Sequence, residues 1–196
     1  MKTKIVGLTG GIGSGKTTLI QYIASKNIPV YIADEAGKRV MEQPVIIKKI
    51  TDLFGNHVLL NIGFPDRKKI AEIVFTDAAK LQALNHIIHP AVGLDFETFQ
   101  EKHQNAKIIV KESAVLFESG AYKKCDAAIL ITAPENVRIE RVMKRDKVSE
   151  TEVRNRIKNQ LSDEEKSVLA DYIVTNVDLQ KAYSQIDEIL EQISAE

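Results

Sequence analysis

The sequence predicts an α/β fold in which a parallel β-sheet is flanked by helices. Short apolar runs alternate with longer segments of helical periodicity along the 196 residues, which is the pattern of a sheet covered by helices on both faces. The composition is globular, with 44% hydrophobic and 28% charged residues. No repeat, low-complexity tract or linker interrupts the alternation. We therefore expect a single domain over 1–196.

The predicted strands are short apolar runs bounded by turn-forming residues. The first, Lys4–Thr9, leads into glycines and has the form of a buried parallel strand. The second, Ile28–Ala33, carries Asp34 at its carboxyl end. Three further runs complete the predicted sheet: Lys107–Lys111, Ala127–Thr132 and Tyr172–Thr175.

The predicted helices lie between these strands and after the last one. They cover 17–26, 34–55, 66–75, 77–89, 90–104, 134–146, two segments that begin after Ser149 and Ser162, and 179–193. Pro90 suits the first position of a helix, which predicts a break between two helices there. The helical segments between the second and third strands exceed what a crossover needs. We therefore expect a substrate-binding insertion at about 35–106.

Four helix starts carry capping signals. Asp66 and Asp77 each precede a segment of helical spacing and suit the N-cap position. Ser149 with Glu152, and Ser162 with Glu165, both match the capping box, in which the two side chains satisfy backbone N–H groups reciprocally.

The segment between the first strand and the first helix carries the strongest functional signal. Gly10–Thr17 reads G-G-I-G-S-G-K-T and matches G-x-x-x-x-G-K-[ST], the P-loop. Its glycines let backbone N–H groups point at phosphate oxygens, and the following helix adds its positive N-terminal end. We predict that Lys16 reaches the β and γ phosphates and that the Thr17 hydroxyl ligates Mg²⁺. The predicted fold is thus a P-loop NTPase, with these ATP contacts: Gly11, Ile12, Gly13, Ser14, Gly15, Lys16 and Thr17.

A P-loop alone does not decide what happens to the γ-phosphate. Residues 34–37 formally match the D-x-x-G loop of GTPases, but 175–178 lack the lysine of N-K-x-D, which disfavours a GTPase. In open α/β sheets, ligands collect beyond the carboxyl ends of the strands. Asp34 follows such an end and is predicted to accept the proton of an attacking hydroxyl as general base. The alternative is a simple N-cap.

A cationic helix face is predicted late in the chain. Arg138, Arg141 and Arg145 fall at i, i+3 and i+7, and residues 138–158 hold eight Lys or Arg against four Asp or Glu. Such a face is often only a solvated surface. Phosphoryl transfer, however, needs positive charge over the γ-phosphate, so we predict a closing lid at about 138–158. We expect its like charges to lack anions until phosphates bind.

Composition excludes several classes of protein. Lys plus Arg total 27 and Asp plus Glu total 27, so the net charge does not support a nucleic-acid or membrane partner. Cys125 is the one cysteine, which excludes an intramolecular disulfide and a Cys-rich zinc site. The longest uncharged stretch, 81–94, falls short of the ~20 apolar residues that span a bilayer. The N-terminus enters a predicted strand directly, so we expect a cytoplasmic protein. We also expect a monomer or weak homo-oligomer.

At these residues the chain resembles the dephospho-CoA kinase family, P-loop enzymes of the nucleoside-monophosphate-kinase-like group. The resemblance covers nearly the whole length, and the order and spacing of the motifs make it specific. The matching positions are Leu8–Thr17, Ala33, Asp34, Asp66, Arg67, Val74, Phe75, His89, Pro90, Leu116–Glu118, Arg141, Arg145, Asp146, Gln160, Lys166, Ala170, Asp171 and Asn176. The chain departs from the family at Ile32, Lys38 and Ala114, where an aspartate, an arginine and a proline are usual.

The resemblance implies ATP-dependent phosphorylation of the ribose 3′-hydroxyl of dephospho-CoA, the last step of coenzyme A synthesis, with Mg²⁺ accompanying ATP. It implies that Asp34 is the base and that Arg141 and Arg145 clamp phosphates during transfer. Thr18 and Asn176 are implied to join the ATP contacts. The acceptor contacts implied by the resemblance are Thr9, Asp34, Arg67, His89 and Arg141.

Two alternatives remain at the level of sequence. One is another small-metabolite P-loop kinase of the shikimate or gluconate type, which also has an aspartate after its second strand. The insertion with Arg67 and His89 favours a larger, nucleotide-like acceptor. The other is a regulatory nucleotide-binding switch, in which Asp34 would have no catalytic part.

Overall fold

The computed structural model describes residues 3–195. Within that range the strands are β1 (Lys4–Thr9), β2 (Val30–Ile32), β3 (Ile108–Glu112), β4 (Ala127–Thr132) and β5 (Tyr172–Thr175). The helices are α1 (Lys16–Ser25), α2 (Ala33–Val40), α3 (Pro44–Phe54), α4 (Arg67–Phe75), α5 (Ala78–Lys102), α6 (Glu135–Asp146), α7 (Glu150–Lys158), α8 (Asp163–Ser167) and α9 (Leu179–Ala195). No helix of this range has the length and apolar character that crossing a bilayer requires.

The strands form one sheet in the order β2-β3-β1-β4-β5. β1 pairs in parallel with β3 and with β4, and β4 pairs in parallel with β5. The predicted α/β fold with a parallel sheet flanked by helices is therefore confirmed. Because β1 is the central strand, the P-loop leaves from the middle of the sheet's carboxyl edge, where ligands of such sheets bind.

The chain divides into two compact units. The first joins the residues up to Tyr31 with those from His103 onward, and the second is Ile32–Lys102. The core of the first unit lies between the sheet and helices α1 and α9, with Leu19, Ile23 and Ile186 fully buried. Each such side chain contributes about 1.5–3 kcal/mol to folding.

The second unit is helical and has a core of its own. Ile46, Ile50 and Phe54 line one side of α3 and pack with Val58 and Ile70. The predicted helical insertion at about 35–106 matches this unit in its helical content, and its role in substrate binding remains a prediction.

The predicted helix break at Pro90 is wrong, because α5 runs from Ala78 through Pro90 to Lys102 without interruption. A proline inside a helix removes one backbone hydrogen bond and costs about 3 kcal/mol or more. Here Ile87, Ile88 and Ala91 pack against the core of the second unit. Apolar packing on both sides of an exposed Pro90 thus holds the helix together, which local propensity does not foresee.

Two further predicted boundaries differ from the structure. The second strand is only Val30–Ile32, because Pro29 cannot donate to the sheet and α2 already begins at Ala33. The predicted helix over 34–55 is two helices. Gln43 is extended (φ −72°, ψ 136°) ahead of Pro44 at the start of α3, as expected of a residue that precedes proline.

The predicted capping signals are confirmed. Asp66 accepts from the backbone N–H groups of the first turn of α4, and the Asp77 side chain accepts from the Lys80 N–H. Both capping boxes are complete, at the start of α7 and at the start of α8. Local chemistry is thus sufficient to fix where these helices begin.

Candidate functional site

The P-loop connects the end of β1 to α1 through two positions that demand glycine. Gly13 and Gly15 have φ angles of +80° and +89°, which side-chain-bearing residues rarely adopt. A β-carbon at Gly13 would collide with the carbonyl of Arg138, and one at Gly15 with the amide of Asn176. The loop therefore packs directly against α6 and against the residue that follows β5.

Lys16, the predicted phosphate-binding lysine, lies against a carboxylate. Its Nζ atom is 3.4 Å from Oε1 of Glu112, at the end of β3. Glu112 is only 5% exposed, so the lysine offsets part of the cost of burying that charge. The register pairs Glu112 with Leu8 of β1. Glu112 therefore lies beside Lys16 in space, and the exposed Thr17 follows Lys16 in the sequence, in the first turn of α1.

Four buried polar atoms at the P-loop have no hydrogen-bond partner among residues 3–195. They are Thr9 Oγ1, Ser14 Oγ, Arg141 Nη1 and Asn176 Oδ1. Buried polar groups are normally paired, and leaving one alone costs about 1–3 kcal/mol. The Nδ2 group of Asn176 donates to the Ser14 carbonyl at 2.8 Å, which ties this residue to the loop. A bound polar ligand is what such a group of unpaired donors and acceptors can satisfy.

Ile12 is held by two side chains. Its backbone N–H donates to Oε1 of Gln160 at 3.0 Å, and its carbonyl accepts from Nε of Arg138 at 3.0 Å. The N–H of Ser14 donates to the carbonyl of Gly11 at 3.1 Å. Of the residues predicted to contact ATP, Ile12 and Ser14 thus have backbone N–H groups that already donate to acceptors within the protein.

The three arginines predicted to form one cationic face lie in three environments. Arg138 is 6% exposed and pairs with Asp163 at 2.8 Å. Arg141 is half-buried, and its Nη1 atom lies 3.7 Å from where a β-carbon of Gly15 would be. Arg145 is exposed and makes two hydrogen bonds to Asp146. The expectation of a face without anions is wrong, because Asp163 of α8 pairs with Arg138 and Asp146, at the end of α6 itself, pairs with Arg145.

The predicted lid has its own packing. Ile139, Val142 and Val153 form a small core between α6 and α7, with Ile12 of the P-loop packed against it. Hydrogen bonds from Arg145, with a further one from Arg156, hold the pKa of Asp146 below its ordinary value. The lid role of 138–158 remains a prediction.

Three of the predicted acceptor contacts, Asp34, Arg67 and His89, lie in the second unit. Asp34 is exposed in the first turn of α2, and Arg67 is exposed at the start of α4. The pKa of Glu35 is lowered, chiefly by a hydrogen bond from Lys38 and to a smaller degree by Arg67. His89 is exposed on α5.

Sequence reasoning missed two carboxylates. Glu112 ends β3 beside the P-loop strand, so the argument applied to Asp34 at the end of its strand would have found Glu112 as well. Asp163 falls within a capping-box segment, and no signal in the sequence connected it to Arg138.

Comparison with known proteins agrees with this geometry. The family model described as dephospho-CoA kinase matches residues 4–181. A protein named dephospho-CoA kinase from Fusobacterium nucleatum is 38% identical over 194 residues, covering 98% of this chain and all of the relative. The solved dephospho-CoA kinase from Campylobacter jejuni is 27% identical, with a TM-score of 0.71 over 97% of both chains.

The shikimate kinase of Bacteroides thetaiotaomicron superimposes with a TM-score of 0.50 at 15% identity, over 97% of this chain and 98% of that one. A likeness at that identity concerns the fold alone. The family match spans the P-loop, the helical second unit and the arginine-bearing helices. The chain belongs to the dephospho-CoA kinase family.

Proposed function

We propose that this protein transfers the γ-phosphoryl group of ATP to the ribose 3′-hydroxyl of dephospho-CoA, giving coenzyme A and ADP. The observation that carries the proposal is the P-loop with four unpartnered buried polar atoms around it and Lys16 beside Glu112. Family membership supports the choice of acceptor. The same proposal includes a cytoplasmic location and a monomer or weak homo-oligomer.

On the donor side, Lys16 supplies positive charge to the β and γ phosphates. At rest it is ion-paired with Glu112, so phosphate oxygens would replace a carboxylate as its partner. The residues fit Mg²⁺, because that ion takes hard oxygen ligands and binds through one or two protein groups plus substrate phosphates. The Thr17 hydroxyl would hold it, with Glu112 as the nearby carboxylate. The bound ion would neutralise charge that develops on the phosphates.

On the acceptor side, Asp34 would accept the proton of the 3′-hydroxyl as that oxygen attacks phosphorus. Thr9, Arg67 and His89 are proposed as acceptor contacts. Arg67 offers a guanidinium suited to phosphate groups of the acceptor, and the second unit is proposed as the acceptor-binding part. Arg141, whose Nη1 atom is buried and unpartnered, and Arg145 would contact the transferred phosphoryl group.

The test is product analysis with Mg²⁺-ATP and a panel of acceptors: dephospho-CoA, shikimate and gluconate. We expect dephospho-CoA alone to gain one phosphoryl group, in an amount equal to the ADP formed. The Lys16→Ala protein is the control for contaminating kinases. Phosphorylation of shikimate or gluconate instead would overturn the acceptor. Slow release of inorganic phosphate with no acceptor modified would indicate a nucleotide-binding switch.

A further inference from the structure

Ile12 is a P-loop residue whose two backbone groups are both bound by side chains from elsewhere in the first unit. Gln160, two residues beyond α7, accepts from its N–H, and Arg138 of α6 donates to its carbonyl, each at 3.0 Å. The backbone of a phosphate-binding loop is the part that must have a fixed shape, because its N–H groups must point at the ligand. The two contacts fix one peptide on each side of Ile12.

Arg138 is itself immobilised. Its Nη1 atom donates to Oδ2 of Asp163 at 2.8 Å, and the same oxygen accepts from the hydroxyl of Thr132 at the end of β4. A β-carbon at Gly11 would come within 2.5 Å of Nη2 of Arg138, so the guanidinium packs closely against the loop backbone at Gly11. An unbroken series of contacts therefore links the sheet to Ile12 through α8 and α6.

This environment differs from that of an arginine poised for a phosphate. Arg138 is 6% exposed, and two of its donor nitrogens are occupied by protein acceptors in a charge-assisted arrangement. Arg141, one turn further along α6, instead has a buried Nη1 atom without a partner. The two arginines therefore have different tasks although their spacing puts them on one helix face.

We propose that Arg138, Gln160 and Asp163 form an Ile12 clamp, a set of positioning residues that holds the P-loop in its phosphate-receiving shape. Gln160 and Arg138 act on the loop backbone directly, and Asp163 acts on it through Arg138. The inference rests on the proposed function only in naming ATP phosphate as what the loop receives. A loop already fixed before binding loses less conformational freedom when phosphate arrives, and its N–H groups need no rearrangement during transfer. Lysine could not replace Arg138, because a single ammonium cannot reproduce the forked geometry.

The chain contains a matched control at the other end of α1. Asp187 accepts one hydroxyl, from Tyr22, and pairs with one cation, Lys26, as Asp163 does with Thr132 and Arg138. Asp187 has no contact with the P-loop. Asp163→Asn and Asp187→Asn therefore remove the same kind of interaction, one inside the clamp and one outside it.

The test measures amide hydrogen exchange, resolved by NMR, of the nucleotide-free protein. In Arg138→Met we expect the Ile12 amide to exchange about ten- to a hundred-fold faster, the range of one lost charge-assisted hydrogen bond, while the α9 amide of Ile186 keeps its rate. Asp163→Asn should give a smaller change in the same direction, and Asp187→Asn none at Ile12. Gln160→Ala should also release the Ile12 amide, and Gln160→Glu, which retains an acceptor, should restore its protection.

The second readout is affinity for a non-hydrolysable ATP analogue with Mg²⁺. We expect it to fall about ten-fold in Arg138→Met and in Gln160→Ala and to stay unchanged in Asp187→Asn. Wild-type exchange at Ile12 in both Arg138→Met and Asp163→Asn would overturn the clamp. So would an equal rise at Ile12 and at Ile186, which would indicate general destabilisation. If Arg138→Met does not fold, Asp163→Asn and Gln160→Ala decide the matter. Neither readout uses the acceptor, so failure to phosphorylate dephospho-CoA would overturn the proposed function and leave this test intact.

Discussion

The two ends of α1 are built in opposite ways. At its N-terminal end, the P-loop is surrounded by buried polar atoms without partners, among them those of Thr9 and Ser14. At its C-terminal end, Lys26 and the Tyr22 hydroxyl both reach Asp187 at 2.7 Å. The ring of Tyr22 also stacks on the ring of Tyr183 in α9, with centroids 3.8 Å apart.

The two ends of α1 show how polar groups that stabilise a fold differ from polar groups that bind a ligand. The C-terminal end satisfies its polar groups with the chain's own residues, so its contacts serve folding. The N-terminal end keeps polar atoms unpaired, and each unpaired buried atom costs about 1–3 kcal/mol of stability. A folded protein tolerates this cost where a ligand completes the hydrogen-bond network. Substitutions at the two ends should therefore change different quantities.

The largest effect is expected from Lys16→Ala, which should lower phosphoryl transfer to dephospho-CoA by at least about 10³-fold, since a preorganised charge at the phosphates is removed. Initial rates at saturating Mg²⁺-ATP measure this. Because the buried Glu112 loses its cation, the Lys16→Ala/Glu112→Gln protein is the control for folding. Near-normal turnover by a folded Lys16→Ala protein would contradict the P-loop assignment.

Asp34→Asn should reduce the chemical step by about 10²–10⁴-fold, the usual contribution of a general base. The affinity for ATP should change little, because the proposed role concerns the acceptor. Single-turnover rates with bound ATP, together with a binding isotherm, separate the two quantities. Loss of ATP binding with an unchanged rate would show that Asp34 acts on the nucleotide side instead.

Arg141→Ala should lower kcat by about 10–10²-fold and weaken ATP binding less, since its unpaired Nη1 atom would bind charge that develops in transfer. Hydrogen exchange over 138–158, with and without ATP analogue plus dephospho-CoA, tests the lid at the same time. Arg145→Ala should lower kcat less than Arg141→Ala, because Arg145 must give up its hydrogen bond to Asp146 before it can contact the phosphoryl group. If exchange over 138–158 is equal with and without the ligands and Arg141→Ala transfers phosphoryl groups at the normal rate, the segment is a solvated surface and not a lid.

Asp187→Asn should leave kcat and KM unchanged and lower Tm by roughly 2–4 °C, the shift expected for a loss of about 1 kcal/mol when its interactions with Tyr22 and Lys26 are weakened. Thermal unfolding and steady-state kinetics on the same preparation measure both. A fall in kcat would show that the C-terminal end of α1 is coupled to the site and would remove the contrast between the ends.

The smallest effect is a titration. The pKa of Lys26 is raised, chiefly by its hydrogen bond to Asp187 and then by one involving Tyr22. Asp187→Asn should move that pKa back toward the ordinary lysine value, which NMR of the Lys26 ε-methylene group follows. A lysine whose pKa is raised by folding stabilises the folded state fully at pH values below its pKa in the unfolded state, and this stabilisation is lost as the pH rises through its pKa in the folded state. Stability near pH 7 therefore contains the full Lys26 contribution.

Local features of this protein were readable in the sequence. The P-loop was recognisable because glycines, lysine and threonine at fixed spacing meet a demand that few other patterns meet, and the structure gives Gly13 and Gly15 the φ angles that require glycine. The capping boxes before α7 and α8 were predicted correctly because both partners lie within four residues of each other. The parallel sheet followed from the alternation of apolar runs and helical segments.

Only the tertiary structure decided which distant groups meet. Helical spacing put Arg138, Arg141 and Arg145 on one face, but their surroundings differ. Arg138 pairs with Asp163 of α8 and belongs to the Ile12 clamp, Arg141 keeps an unpaired Nη1 atom, and Arg145 forms a surface ion pair with Asp146 at the end of α6. Pro90 reads as a helix start, yet packing on both sides of it carries α5 through. Sequence by itself determines chemistry whose partners lie within a turn of the chain. Partnerships such as Arg138 with Asp163, or Lys16 with Glu112, depend on long-range packing, which no local pattern records.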